Sequence, residues 1–265
     1  MARVAQLGEA EPVSSARTAA GTRKYLYAVI AASPERNFGA AGLNEAPVYF
    51  IGKGRVAAAV SDIANGEIQP ARRHLAAHQQ VLRCLMQETT PLPMSFGLVA
   101  DSARAVQKIL AENEEAFLSQ LERVAGKVEM GLRATWDVPN IFEYFINTHP
   151  ELKATRDRFL GGYRPPTQEE KIELGRFFDR LLQEDRETYT EQVESALGPR
   201  CFEVKRNRCR SEREVMNLAC LVGIRSRAEF EAAVLEAARL FDNNFAFDYN
   251  GPWAPHNFVE MDLAL

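Results

Sequence analysis

The stretch Gly126-Lys127-Val128-Glu129-Met130-Gly131-Leu132-Arg133-Ala134-Thr135-Trp136 decides how the second half of this chain folds. Val128, Met130, Leu132 and Ala134 fall on one side of an extended segment. Lys127, Glu129, Gly131, Arg133 and Thr135 fall on the other. Successive side chains of a strand point to opposite faces, so the alternation predicts a strand with one dry and one wet face. Downstream, Asn140 with Glu143 three residues later opens a helix that His149-Pro150 interrupts, and a second short helix ends at Gly161-Gly162. Thr167 and Glu170 form a capping-box signature for a helix that stops at Gly198-Pro199. Residues 201–206 and 215–224 read as strands. Ser226 with Glu229 repeats the capping box before a helix carrying Phe230, Val234, Ala237 and Phe241 on one face. Residues 245–249 read as a last strand, and Asn250-Gly251-Pro252 as a turn into an apolar tail. The order β, helical region, β, β, α, β is the split βαβ, ferredoxin-like motif. It calls for right-handed crossovers and an antiparallel sheet with its helices on one face.

Upstream of Gly126 the pattern differs. Tyr25-Leu26-Tyr27-Ala28-Val29-Ile30 is continuously apolar, as a central strand buried on both faces would be. Val48-Tyr49-Phe50-Ile51 and Arg55-Val56-Ala57-Ala58-Ala59-Val60 flank Gly52-Lys53-Gly54, which predicts a hairpin. A helix follows Pro70 with the stripe Leu75, His78, Val81, Leu82 and Leu85. After Pro91 and Pro93 a short strand is expected over residues 94–99. Asp101 is then the candidate cap of one helix with the stripe Val106, Ile109, Leu110, Phe117, Leu121 and Val124. The expected fold is α+β in two domains: an N-terminal α/β sandwich over residues 23–125 and a ferredoxin-like domain over 126–248. A disordered Ala, Ser, Gly and Thr-rich tail covers residues 1–22, and an aromatic C-terminal tail over 249–265 docks on the domains.

The 265 residues leave room for one to two domains, and 46% hydrophobic with 26% charged residues is an ordinary globular profile. Thirty-two basic against 36 acidic residues, net −4, argues against a nucleic-acid partner held by phosphate neutralisation. No apolar run reaches membrane-spanning length, and the start of the chain lacks the apolar core of a secretory signal, so a cytoplasmic protein with no membrane partner is expected. Cys84, Cys201, Cys209 and Cys220 form no C-x-x-C pair and read as free thiols.

The search for chemistry yields little. His74-x-x-x-His78 has zinc-ligand spacing but lacks two further ligands, and His78 lies on an apolar stripe, so it reads as a core histidine. Cys209 among Arg206, Arg208 and Arg210 is the best thiolate candidate, against the plainer reading of a loop thiol. The run Lys205-Arg206-Asn207-Arg208-Cys209-Arg210 with Arg213 could meet an acidic partner, or it could be a solvated hairpin loop diluted by Glu212 and Glu214. Gly52-Lys53-Gly54-Arg55 lacks the spacing of a phosphate-binding loop. No catalytic constellation, cofactor motif or metal set emerges, which argues against an enzyme; a small-molecule enzyme or ligand-binding protein on a ferredoxin-like scaffold stays as the alternative. The aromatic and proline-rich segment over residues 245–258 must pack on its own domain, dock between the domains or bind a partner.

That segment, Asp248-Tyr249-Asn250-Gly251-Pro252-Trp253-Ala254-Pro255-His256-Asn257-Phe258-Val259, resembles the gas vesicle synthesis protein F/L family (GvpF/GvpL). Leu92-Pro93-Met94-Ser95-Phe96-Gly97-Leu98-Val99 is similar to the family's L-P-M-R-F-G-T-V stretch, and Gly126–Leu132 to its G-K-x-E-W-G-x-K stretch. The likeness spans about residues 24 to 260. Ser95 stands where the family often has Arg, and Met130 where it often has Trp. The resemblance implies a non-enzymatic assembly or minor structural protein, cytoplasmic and associated with gas vesicles. It implies binding to the main gas vesicle shell protein (GvpA-type), and other gas vesicle accessory proteins as further partners. Pro93, Met94, Phe96, Gly97, Asp248, Tyr249, Gly251, Pro252, Trp253, Asn257 and Phe258 are the implied motif and partner-binding residues. Of these, Pro93, Phe96 and Gly97 are expected to set a strand entry, Gly251 and Pro252 a turn, and Trp253 and Phe258 to anchor the tail.

Overall fold

A computed structural model describes residues 22–32, 41–64, 68–161 and 164–261. The tail expected over residues 1–22 lies outside them, Thr22 excepted. The described chain is α+β, with two antiparallel sheets.

The first sheet is built around β1 (Arg23–Ala31), whose residues 24–30 are all buried. Strands β2 (Val48–Lys53) and β3 (Val56–Ile63) form the expected hairpin through Gly54, which holds φ +60. The order is β2-β3-β1-β4, with β4 (Leu92–Pro93) and the two-residue β5 (Val99–Ala100) both pairing β1 antiparallel. Helix α1 (Arg72–Met86) covers one face, where Val81, Leu82 and Leu85 meet Tyr25, Tyr27 and Ala28. Helices α2 (Ala103–Glu112) and α3 (Glu114–Val124) cover the other, where Val106, Leu110, Phe117 and Val124 meet Leu26 and Val29. Cover on both faces is why β1 reads as an unbroken apolar run. A β-bulge between Leu26 and Ala28 puts Tyr27 and Ala28 on the same side.

Two expectations for this half are corrected. The strand over residues 94–99 is a turn between β4 and β5: Gly97 has φ +91, and Leu98 N–H donates back to the Ser95 carbonyl at 3.3 Å. The single helix from Asp101 is two helices. Ser102, not Asp101, caps α2 through its Oγ, and Asn113, with φ −117 and ψ 14, breaks the chain between α2 and α3. On α1, Leu75 is 41% exposed, although it falls on the apolar stripe.

The second sheet has the order β7-β8-β6-β9, with every neighbour antiparallel. Its strands are β6 (Lys127–Trp136), β7 (Glu203–Arg206), β8 (Glu214–Gly223) and β9 (Phe245–Trp253). Between β6 and β7 run α4 (Ile141–Thr148), α5 (Pro150–Leu160) and α6 (Gln168–Leu197); between β8 and β9 lies α7 (Arg227–Ala238). Val128, Met130, Leu132, Ala134 and Trp136 face Phe145, Phe178, Leu182, Phe230 and Val234 of these helices. The alternation of β6 is therefore a helix-covered face against an opposite face that α4, α6 and α7 leave open. Asn140 caps α4 by accepting from Phe142 N–H and Glu143 N–H, and the Thr167–Glu170 capping box is closed in both directions. The second box is not: Ser226 sits at φ −98, ψ 11 at the end of a 3-10 turn, and its side chain makes no cap bond.

The expected turn at Asn250-Gly251-Pro252, and with it the start of the tail at residue 249, is also corrected. β9 continues through these residues, pairing Asn250 with Gly131 and Trp253 with Glu129. The extra length is taken up in a bulge at Gly251 and Pro252, which a cis peptide bond joins; Gly251 has φ +129. Its φ of +129 is one that L side chains rarely adopt, and an added Cβ would also stand 3.1 Å from the Glu129 carbonyl oxygen, so the bulge calls for glycine there.

The closed capping box at the head of the 30-residue α6 gives one expectation. Thr167→Ala removes the side-chain acceptor for the Glu170 N–H and should destabilise the protein by about 1 kcal/mol, read as a shift in the urea unfolding midpoint. An unchanged midpoint would mean that the box does not hold α6 in place.

Candidate functional site

The two sheets meet across the segment that leaves β9. Register places Glu129 opposite Leu221, and Gly131 opposite Ala219, on the face of the second sheet that α4, α6 and α7 leave open. Residues 254–261 cross this face. Phe258 is fully buried against Ala219 and Leu221. Glu129, 7% exposed, accepts from Asn257 N–H at 2.8 Å and from Asn257 Nδ2 at 2.6 Å, one bond to each carboxylate oxygen. Burial raises its pKa, and the two Asn257 donors pull against that rise.

Arg123 of α3 reaches over from the first half. It donates from Nη1 to the Phe258 carbonyl at 3.0 Å and from Nη2 to Glu203 of β7 at 2.6 Å. Lys205 pairs with Glu260. Val259 and Met261 pack on the core beneath α2 and α3, and Ala254 is buried in the core beneath α1. The segment therefore touches both sheets, and Met86 at the end of α1 packs against the cores of both.

Beside this junction lies a groove in two connected parts. The larger, about 390 Å³, is lined by Met86, Glu88, Lys127, Val128, Ile224 and Pro255 among others. The smaller, about 280 Å³, shares Met86, Gln87, Val128 and Ile224 and adds Arg83, Arg227, Gly251, Pro252 and Trp253. Trp253 forms a fixed wall: its Nε1 donates to Asn250 Oδ1 at 2.8 Å, and the Arg83 guanidinium lies 5.0 Å from the ring centroid. Ile224 is 46% exposed at the groove and Phe202 nearby 67% exposed, with Lys127 Nζ 4.5 Å over the Phe202 ring.

The residues singled out from the sequence divide into two sets. Pro93 and Met94 are buried in the first sheet, and Phe96 packs on Tyr25 and His78. Gly97 donates its N–H to Tyr25 Oη at 3.3 Å. This set supports β1 from within. The second set lies at the junction. Asp248 is exposed opposite Arg133, and Tyr249 packs on Phe230. Gly251, Pro252 and Trp253 line the groove, whereas Asn257 and Phe258 anchor the segment beyond it. The two sets are not brought together. Arg83, Met86, Ile224 and Arg227 also line the groove; in sequence they look like ordinary helix and turn residues, and no spacing marks them.

The chemical candidates resolve into structure. His78 is 2% exposed, enclosed by Tyr25, Tyr27 and Phe96, with Nδ1 2.8 Å from Tyr25 Oη. Burial, with His256 adding to it, brings its pKa down to about 4. His74 instead sits with Asn44 and the Gln69 carbonyl, and among the described residues no group of three or more His, Cys, Asp or Glu is placed to hold a metal ion. The Cys209 thiolate reading is corrected, since burial pushes its pKa up and Arg186 opposes this less strongly. Cys220 is fully buried, as a small core residue, and Cys84 half-buried. The basic run is largely engaged: Arg206 pairs with Glu187 and Glu194, and Arg213 donates to the Val138 and Pro139 carbonyls. Among the described residues no helix is long and apolar enough to cross a membrane.

Fold and site together define an α+β protein of two antiparallel sheets, clasped by its C-terminal segment and carrying an apolar groove at their junction. Residues 23–260 match the family model described as gas vesicle synthesis protein GvpL/GvpF, and the chain belongs to that family. It is 30% identical over 242 residues to gas vesicle protein F of Streptomyces sp. (strain CB03234), covering 89% of this chain and 99% of that one. It is 25% identical over 241 residues to gas vesicle protein F of Dolichospermum flosaquae, covering 90% and 98%. In fold it is similar to the crystal structures of GvpF from Anabaena sp. PCC7120, with a TM-score of 0.79 at 24% identity, and from Microcystis aeruginosa, 0.77 at 22%. Each comparison covers 91% of this chain and all of the other.

Two measurements check the roles given to buried residues. Phe258→Ala empties the socket on Ala219 and Leu221 and should cost about 3 kcal/mol in denaturant unfolding, within the range for buried aromatics. A loss below about 1 kcal/mol would contradict the anchoring role. For His78 the neutral ring is favoured in the fold. Its contribution is complete above pH 6.5 and is lost as pH falls toward about 4. Over that window wild type should lose up to about 3 kcal/mol more stability than His78→Gln. Parallel pH dependences for the two proteins would refute the assignment.

Proposed function

We propose that this protein acts in gas vesicle formation as a non-enzymatic assembly or minor structural protein that binds the main shell protein and helps nucleate the vesicle. Membership of the gas vesicle synthesis family over residues 23–260 carries this reading. The apolar groove beside Trp253, with Ile224 and Phe202 exposed at and near it, supports it. A shell-forming subunit with a water-repelling face aggregates unless it is covered before assembly, and a partner with an apolar groove can cover it. The layout proposed to serve this role is an N-terminal α/β domain and a ferredoxin-like domain, joined by residues 254–261, in the cytoplasm and in contact with gas vesicles. Other gas vesicle accessory proteins are further proposed partners.

Co-expression with the main shell protein of the same vesicle system tests the reading. The tagged protein should capture it at micromolar concentration, and a strain lacking the protein should form no vesicles until it is resupplied. Absence of capture would refute binding to the shell protein, and normal vesicles in the deletion strain would refute the role in vesicle formation.

A further inference from the structure

The smaller part of the groove has an unusual charge arrangement for this chain. The protein as a whole is acidic, at net −4. Yet the charged residues lining this part are Arg83 and Arg227, both exposed, and among the described residues neither pairs with a carboxylate. Arg83 is held over the Trp253 ring, so its guanidinium is positioned while its outer edge stays open to a ligand. Between the two arginines lies an apolar floor of Met86, Val128, Ile224, Pro252 and Trp253. The larger part adds Lys127, and its acidic lining residue is Glu88. A floor that takes apolar side chains and a rim of unpaired guanidinium groups are complementary to a segment that carries both an apolar run and a carboxylate.

We propose that this groove is where the protein takes hold of its partner, and that the bound element is an apolar segment of the shell protein bearing a carboxylate that Arg83 and Arg227 receive. This rests on the functional reading above and adds the surface and the chemistry of the bound segment. The apolar floor supplies the area removed from water, and the two arginines set the register of the segment and speed its encounter. A purely apolar segment would leave both guanidinium groups facing low-dielectric surface without a counter-charge, which disfavours it.

The test uses the full-length protein and the shell protein co-expressed, with a panel of overlapping synthetic shell-protein peptides as the second probe. Arg83→Glu with Arg227→Glu should reduce capture about tenfold or more while the protein stays folded, because both side chains are exposed and, among the described residues, the Arg83 contact with Trp253 is the one packing interaction removed. Ile224→Asp should reduce it comparably. If the reversed variant is unstable, Arg83→Gln with Arg227→Gln replaces it. Among the peptides, those joining an apolar run to Asp or Glu should bind best. Their Asn or Gln counterparts should bind wild type several-fold more weakly, and should bind the double Gln variant as well as the carboxylate forms do. Undiminished capture by folded charge-reversed protein, or peptide binding indifferent to the carboxylate, overturns the groove assignment and leaves the functional reading standing. Failure of wild type to capture the shell protein at all overturns that reading, and the groove proposal with it.

Discussion

The bidentate contact between Glu129 and Asn257 is the constraint on which the rest of the junction depends. Alternation along β6 puts Glu129 on the face opposite Val128 and Met130, and in this fold that face is covered. A carboxylate shut away from water is costly unless its oxygens are met by donors. Asn257 meets both, with its backbone and its side chain, and so the chain must pass at one place. Phe258 then falls into the socket formed by Ala219 and Leu221, and its carbonyl comes within reach of Arg123 from the first half. A polar requirement on one strand thereby sets how two sheets are joined.

The groove follows from that joining. Its walls come from the end of α1, the start of β6, the turn before α7 and the end of β9, elements far apart in sequence. The bulge at Gly251 and Pro252 lets β9 stay paired with β6 while Trp253 lies beside Arg83. Met86 packs into both cores, so the groove floor is continuous with each. A groove assembled this way is held by the packing of whole elements rather than by a loop.

Much of the framework was legible in the residues. The strand period of β6, the capping box and glycine stop of α6, and the Gly54 hairpin agree with the structure because each reflects a local rule of backbone geometry or solvation, whereas the face of β6 expected to be wet is covered at Glu129. The misreadings share a cause. Residues 94–99 and 250–252 carry prolines and glycines that serve turns and bulged strands alike, and only pairing with β1 or β6 decides between them. The break at Asn113 falls inside an unbroken apolar stripe, and Ser226 shows a capping signature that the 3-10 turn before it makes unusable. Cys209 stands among arginines in sequence, yet Arg206 turns to Glu187 and Glu194 while the thiol is half-buried.

The residue pattern alone determined most of the order of strands and helices, the apolar face of most of them, and the family to which the chain belongs. These depend on interactions between residues a few positions apart, or on a string such as Asp248–Phe258 that is recognisable as it stands. Tertiary structure alone decided that the motif residues fall into two separate sets, one bracing β1 and one at the junction. It also decided that Arg83, Met86, Ile224 and Arg227 share a surface. That surface exists because Glu129 must find its donors on a segment more than a hundred residues away, and no local pattern records which residues such a long-range contact will bring together.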